Sequence, residues 1–142
     1  MHILFAPCGV SQLENLRERF PTISSFPYFD SLKSLNGCDL FFGGLTLYGV
    51  RVPFKKGNVP YFVFDIFEHN EDFFQLGLQR GRLVVGSIAN DGEYHIVQYP
   101  DGRIEEVERD SGEKTRQWPD LKTFLSREIL RLSKSNGGGL DP

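Results

Sequence analysis

The sequence predicts an α+β fold in a single domain. Two observations between Arg82 and Leu132 carry this. Three apolar-rich runs, Arg82–Ile88, Glu93–Tyr99 and Arg103–Glu108, are separated by the turn signals Asn90-Asp91-Gly92 and Pro100-Asp101-Gly102. Glycine accepts positive φ without a clash and proline pre-sets the first turn dihedral, so each signal has a physical reason. After a polar loop, Trp118-Pro119-Asp120 opens a helix whose stripe is Leu121, Phe124, Leu125, Ile129 and Leu132, with Lys122, Arg127, Glu128 and Arg131 outside.

Two shorter helices precede these strands. Ser11 and Glu14 have capping-box spacing, and Leu13, Leu16 and Phe20 share one side before Pro21 ends the helix. Ser24 or Ser25 caps a second helix with Pro27 in its first turn and Tyr28, Phe29, Leu32 and Leu35 on its apolar face. Asn36-Gly37 closes it, glycine being the natural left-handed cap. Leu40–Gly44 reads as a bend. Leu45–Val52 reads as a strand kinked at Gly49, and Lys55–Asn58 as a polar loop. The aromatic run Tyr61–Phe67 has no clean period, and 59–74 reads as a short helix or irregular packing segment ending near Asn70. Within the second run Tyr94 and Ile96 share one face while Val97 and Tyr99 share the other, which predicts a bulge. Ile104 and Val107 break alternation in the next run, which predicts an irregular edge.

With 142 residues the chain has the length of one domain, and thirteen Phe, five Tyr and one Trp dominate the available core. A net charge of −3 argues against a nucleic-acid binder, which shows a basic stripe. Cys8 and Cys38 match no zinc or redox spacing and read as two reduced, buried thiols. The apolar start Met1–Ala6 has no basic leader and is shorter than a signal peptide, and no run is long enough for a membrane span. The expectation is a cytoplasmic protein that uses no membrane.

Chemistry-bearing motifs are few. No phosphate-binding or dinucleotide glycine loop is present. His69 with Glu68, Glu71 and Asp72 could be drawn as a metal cluster, but four polar residues at a helix end are more often solvated. The sequence therefore assigns no catalytic residue, no cofactor and no metal.

Three blocks resemble the SUKH superfamily, the Smi/Knr-like proteins. They are Leu35-Asn36-Gly37-Cys38-Asp39-Leu40-Phe41 followed by Leu45-Thr46-Leu47-Tyr48-Gly49; Val84-Val85-Gly86-Ser87-Ile88 followed by Asp91-Gly92-Glu93-Tyr94; and Trp118-Pro119-Asp120-Leu121-Lys122-Thr123-Phe124-Leu125. The order and spacing of the blocks fit the family over residues 11–133, leaving 1–10 as a lead segment and 134–142 as a tail. The entry to the second helix departs from the family, with Ser25-Phe26-Pro27-Tyr28-Phe29-Asp30 in place of its Leu-Pro-x-Asp-Tyr-like pattern. The resemblance implies a central antiparallel sheet packed against the N-terminal helices and a C-terminal helix. It also implies a role: bacterial members are immunity proteins that bind and neutralise a cognate toxin domain, often a nuclease or deaminase. Eukaryotic relatives are regulatory scaffolds in cell-wall and signalling control, which is the alternative reading, and a small-molecule enzyme is a third.

If the chain is such a binder, its surface matters more than any pocket. The first candidate is the acidic run Glu105, Glu106, Glu108 and Asp110, whose carboxylates would face a basic toxin groove and speed encounter. Solvation of an edge strand is the plainer reading of the same charges. A second candidate is Glu68, Glu71 and Asp72. Asn36 and Asp39 read as local hydrogen bonding at the helix exit rather than a binding hot spot. Tyr48, Tyr94 and Trp118 read as core packing rather than interface anchors. Gly37, Gly86, Asp91 and Gly92 read as structural positions of the family blocks.

Overall fold

A seven-stranded, wholly antiparallel sheet runs through the protein in chain order, β1-β2-β3-β4-β5-β6-β7. The structure is a computed structural model that describes residues 2–41, 43–50, 64–75, 81–88 and 93–136, with the backbone alone for 72–75 and 136. The strands are β1 (Ile3–Leu4), β2 (Cys38–Leu40), β3 (Leu45–Leu47), β4 (Leu83–Ile88), β5 (Tyr94–Gln98), β6 (Ile104–Glu108) and β7 (Lys114–Trp118). The helices are α1 (Val10–Arg19), α2 (Pro27–Ser31), α3 (Ile66–Gln75) and α4 (Leu121–Asn136), with a 3-10 turn over Pro21–Ser25. The α+β expectation holds, with the N-terminal helices and α4 packed around one sheet.

The N-terminal helices follow the sequence with shifted caps. Gly9 rather than Ser11 caps α1, and the Gln12 side-chain Oε1 accepts the Gly9 N–H at 2.6 Å. In place of the Ser11–Glu14 box, this one reciprocal bond forms two residues earlier. Phe26 rather than a serine precedes α2, whose Pro27 sits at the first helical position, where a missing N–H is harmless. The lead segment is no separate unit: Ile3 and Leu4 pair with Asp39 and Cys38 as β1, and Cys8 is buried.

The long meander owes its register to close backbone approaches. Gly86 sits opposite Leu47, and a Cβ there would stand 2.3 Å from the Thr46 carbonyl. Gly37 has φ +87°, and a Cβ there would meet the Leu47 carbonyl at 2.6 Å. The expected bulge exists, but in the partner strand: Val84 faces Val97 and Gly86 faces Ile96, so Val85 is the extra residue of β4. A second register shift separates Glu106 from Val107 against β7. β6 is irregular as expected, yet it is no edge, because β5 and β7 flank it.

Three further expectations are corrected. The polar stretch before Trp118 is strand β7, and Trp118 ends that strand instead of opening the helix. Asp120 opens α4 by accepting the Thr123 N–H at 2.7 Å. The segment expected to stop near Asn70 is α3, which runs on to Gln75. The turn at Asn90-Asp91-Gly92 and the loop at 55–58 lie outside the described residues.

The core is continuous across these layers. Leu16, Ile23, Tyr28 and Leu32 meet Leu45, Leu83, Ile96 and Ile104, all at 2% exposure or less. At the far end Trp118 packs edge-to-face on Phe124, with centroids 4.7 Å apart, and Leu132 closes the stripe. Burial of the aromatics alone removes a large apolar area from water, the main force for folding.

Two buried asparagines finish the sheet where strands run out. The Asn36 amide donates to the Val50 carbonyl at 2.9 Å, and its oxygen accepts the Val50 N–H at 2.7 Å. Asn70 does the same for Val84, at 2.9 and 2.8 Å, and also donates to Ile66 at 2.7 Å. Each side chain thus satisfies backbone groups that β pairing leaves open and that would be costly to bury alone.

Candidate functional site

The sheet splits the acidic run in two. Glu105 and Glu106 are 6% and 5% exposed, so neither offers a charge to a partner. The expectation that they form a binding face is corrected, and the reason is β7, which turns β6 into an interior strand. Glu105 accepts the Tyr99 hydroxyl at 2.9 Å, with Arg103 Nε at 3.9 Å and its guanidinium over the Tyr99 ring.

Glu106 begins a ladder of alternating charge. Its carboxylate accepts Arg116 Nε at 3.0 Å, Arg116 Nη2 at 2.6 Å and Thr115 Oγ1 at 2.7 Å. Arg116 Nη1 donates onward to Glu128 Oε1 at 2.5 Å, and Arg131 Nε and Nη2 donate to Glu128 Oε2 at 3.0 and 2.8 Å. Glu128 is 1% exposed, whereas Ile129 is 40% exposed, so the helix stripe turns on a glutamate and not on the isoleucine expected. Burial pushes the Glu106 carboxyl up, but the hydrogen bonds from Arg116 and Thr115 outweigh it and the net direction is down. The Glu106 hydrogen bonds raise Arg116 in turn. An open groove of about 370 Å³ lies beside this ladder, lined by Arg116, Gln117, Trp118, Arg127, Glu128 and Arg131.

Glu108 and Asp110 go elsewhere. With Glu93, Tyr94 and Arg109 they line a shallow hollow of about 220 Å³ at the end of β5 and β6. The Arg109 N–H donates to the Glu93 carbonyl at 3.0 Å, which ties the β6–β7 turn to the start of β5. Ser111 Oγ donates to Glu108 at 3.1 Å, and Arg109 stands 3.6 Å from an Asp110 carboxylate that is 92% exposed. Next to Tyr94, His95 is held down at about 4 by burial first and then by the His69 and Arg109 charges, against the pull of Asp110. Glu93 is the member that sequence reasoning missed; it adjoins the Asn90-Asp91-Gly92 turn and was read only as part of a strand.

The second acidic candidate is partly placed. Glu68 and Glu71 are exposed on α3, while the Asp72 side chain lies outside the described residues. His69 does not turn to them as a ligand set. Its ring stacks on Tyr48 at 3.9 Å and its Nδ1 stands 2.8 Å from the Asp65 carbonyl oxygen. Among the described residues no three His, Cys, Asp or Glu side chains gather closely enough to hold a metal ion.

Of the residues read as structural, Tyr94 is half-buried and lines the hollow. Tyr48 and Trp118 are buried at 3% and 6%. Burial drives the Tyr48 hydroxyl up to about 12 against a hydrogen bond with Ser87, and the Tyr28 hydroxyl donates to the Tyr48 carbonyl. Asn36 does satisfy backbone, though of Val50 and not of its own helix exit. Asp39 lies in β2, and its Oδ1 is buried with no hydrogen-bond partner among the described residues. Asp91 and Gly92 lie outside the described residues. Cys8 and Cys38 are free and buried, and burial carries the Cys38 thiol up to about 11.

No helix among the described residues is long and apolar enough to cross a membrane. Compared with known protein families and with curated proteins, the chain matches none.

Proposed function

We propose that the protein is a Smi/Knr-like binding module of the immunity type, which neutralises a cognate nuclease- or deaminase-type toxin in the cytoplasm by covering its active site. The observation that carries the reading is the acidic rim of the Tyr94 hollow, formed by exposed Glu93 and Asp110 and half-buried Glu108. Carboxylates gathered at such a rim suit a basic groove made for nucleic acid, where complementary charge speeds encounter and rejects wrong partners. An aromatic ring at the centre of such a rim is the usual form of an anchoring contact.

The disposition of the buried ionisable groups supports binding over catalysis. Glu105, Glu106 and Glu128 are committed to arginines and a tyrosine within the fold. Inhibition would be steric and electrostatic, through an interface on the order of 1,200–2,000 Å² in total. The resemblance carried by the Leu35–Gly49, Val84–Tyr94 and Trp118–Leu125 blocks supports the toxin as partner. The experiment is co-expression with the product of the neighbouring gene: growth inhibition by that product, its relief by this protein and an equimolar complex are expected, and absence of relief and of the complex removes the reading.

A further inference from the structure

β7 ends the sheet. It pairs with β6 on one side, and among the described residues no strand pairs on the other. A terminal strand presents alternate N–H and C=O groups outward, ready for another chain. Lys114, Thr115 and Gln117 of this strand are exposed.

The charge beside this edge is one-sided. Residues 114–136 hold six of the sixteen Lys and Arg but two of the nineteen Asp and Glu. Glu128 is 1% exposed within the arginine ladder, and the exposed Asp120 accepts the Thr123 N–H at the start of α4. Five cations face water there, Lys114, Lys122, Arg127, Arg131 and Lys134, against the one exposed acid Asp120, on a chain whose net charge is −3. Arg127 has no ion-pair partner among the described residues, and it lines the open groove between α4 and β7 with Arg116 and Arg131.

We propose that the β7 edge and the basic face of α4 together dock an extended acidic segment of a partner protein, which adds to the sheet as a further strand. Main-chain hydrogen bonds to β7 supply affinity, and alternate side chains supply specificity. Arg116 and Trp118 point to the α4 side of the sheet, since Arg116 reaches Glu128 and Trp118 packs on Phe124. Side chains of the incoming strand opposite those two residues therefore lie over the groove, where carboxylates meet Arg127 and Arg131. Edge lysines alone guard many sheets against aggregation, but that explains Lys114 and not the four cations of α4. A second copy is a poor occupant, because antiparallel pairing of β7 with itself about its midpoint sets Arg116 against Arg116. The described face also offers no exposed aromatic ring for base stacking; Trp118 is 6% exposed. This docking site uses different residues from the acidic rim and stands whether or not that rim binds a toxin.

The test uses the full chain and a fluorescent peptide of about ten residues alternating glutamate with threonine or valine, a length that suits a single added strand. Saturable binding is expected, at least tenfold tighter than for the same peptide with lysine in place of glutamate. At least tenfold slower amide exchange at residues 114–118 is expected in the complex. The double variant Arg127→Glu, Lys134→Glu touches only exposed side chains on one face of α4. It should weaken binding at least tenfold with an unchanged melting temperature. No binding, unchanged exchange in β7, or equal affinity in the double variant would overturn the proposal. So would tighter binding of single-stranded RNA or of phosphatidylserine vesicles than of the peptide.

Discussion

Glu128 in the middle of α4 and Arg116 in the edge strand β7 are joined by a 2.5 Å hydrogen bond that fastens the helix to the sheet. Arg116 is simultaneously gripped by Glu106, so one guanidinium serves two carboxylates that are 5% and 1% exposed. Removing the arginine leaves the buried Glu106 carboxylate with no cation and only the Thr115 hydroxyl, while Glu128 keeps Arg131. Removing Glu128 leaves two arginines that are part-exposed and can reach water. Arg116→Leu should therefore cost about 3–5 kcal/mol, the range for a broken buried pair, and Glu128→Leu clearly less. Urea denaturation of the two variants checks the order, and equal losses would contradict it.

The asparagine clamps give a second prediction. Asn70→Ala strips hydrogen bonds from both the N–H and the carbonyl of Val84. Each buried backbone group left unsatisfied costs about 1–3 kcal/mol, so a loss of about 2–5 kcal/mol is expected. Asn36→Asp should also destabilise, because a carboxylate still accepts the Val50 N–H but repels the Val50 carbonyl that the amide served. Thermal unfolding measures both.

Gly86 admits no side chain. A Cβ there would lie 2.3 Å from the Thr46 carbonyl, and backbone on both sides is held in the sheet. Gly86→Ala should lose about 1–3 kcal/mol, as overpacked sites do. Gly81→Ala provides the contrast: nothing lies within 4 Å of its Cβ, and the cost there comes only from φ +67°.

Acid should weaken the fold in two steps. His95 titrates near its ordinary 6.5 when unfolded but at about 4 when folded. As pH falls below 6.5 the unfolded chain takes up a proton that the folded chain refuses, so stability declines from 6.5 down to about 4. The loss is about 2 kcal/mol once solvent screening of the half-buried ring is allowed for. Glu106 acts at lower pH. Its folded value lies below the ordinary 4.5, so its contribution is complete above that and fades as pH drops through the folded value. His95→Gln should abolish the upper step and keep the lower one in a pH series of denaturation curves.

What the sequence disclosed follows from where signal is strong. Strands β4, β5 and β6 and helix α4 were legible because glycine turns punctuate them and their apolar residues repeat. Strand β7 was not, since Lys114-Thr115-Arg116-Gln117 has polar residues on both faces, as an edge strand does, and so imitates a loop. That one omission made Glu105 and Glu106 look exposed. Strand β1 is two residues long, too short for any period. Glu128 was placed outside because charge on a helix normally solvates, yet Phe124, Glu128 and Leu132 are spaced four apart on one stripe. A glutamate in the midst of such a stripe, with arginines nearby in sequence, is the sign of a buried pair. Glu93 could have been found from the turn it adjoins.

The acidic rim carries the functional reading, and one titration addresses it most directly. The wild-type protein and the variant Glu93→Lys, Glu108→Lys, Asp110→Lys are each titrated calorimetrically with the product of the neighbouring gene. Equimolar binding by the wild type is expected, with at least a hundredfold loss in the variant and no change in its melting temperature. A folded variant that binds as tightly as the wild type, or a wild type that gives no heat at all, would contradict the account.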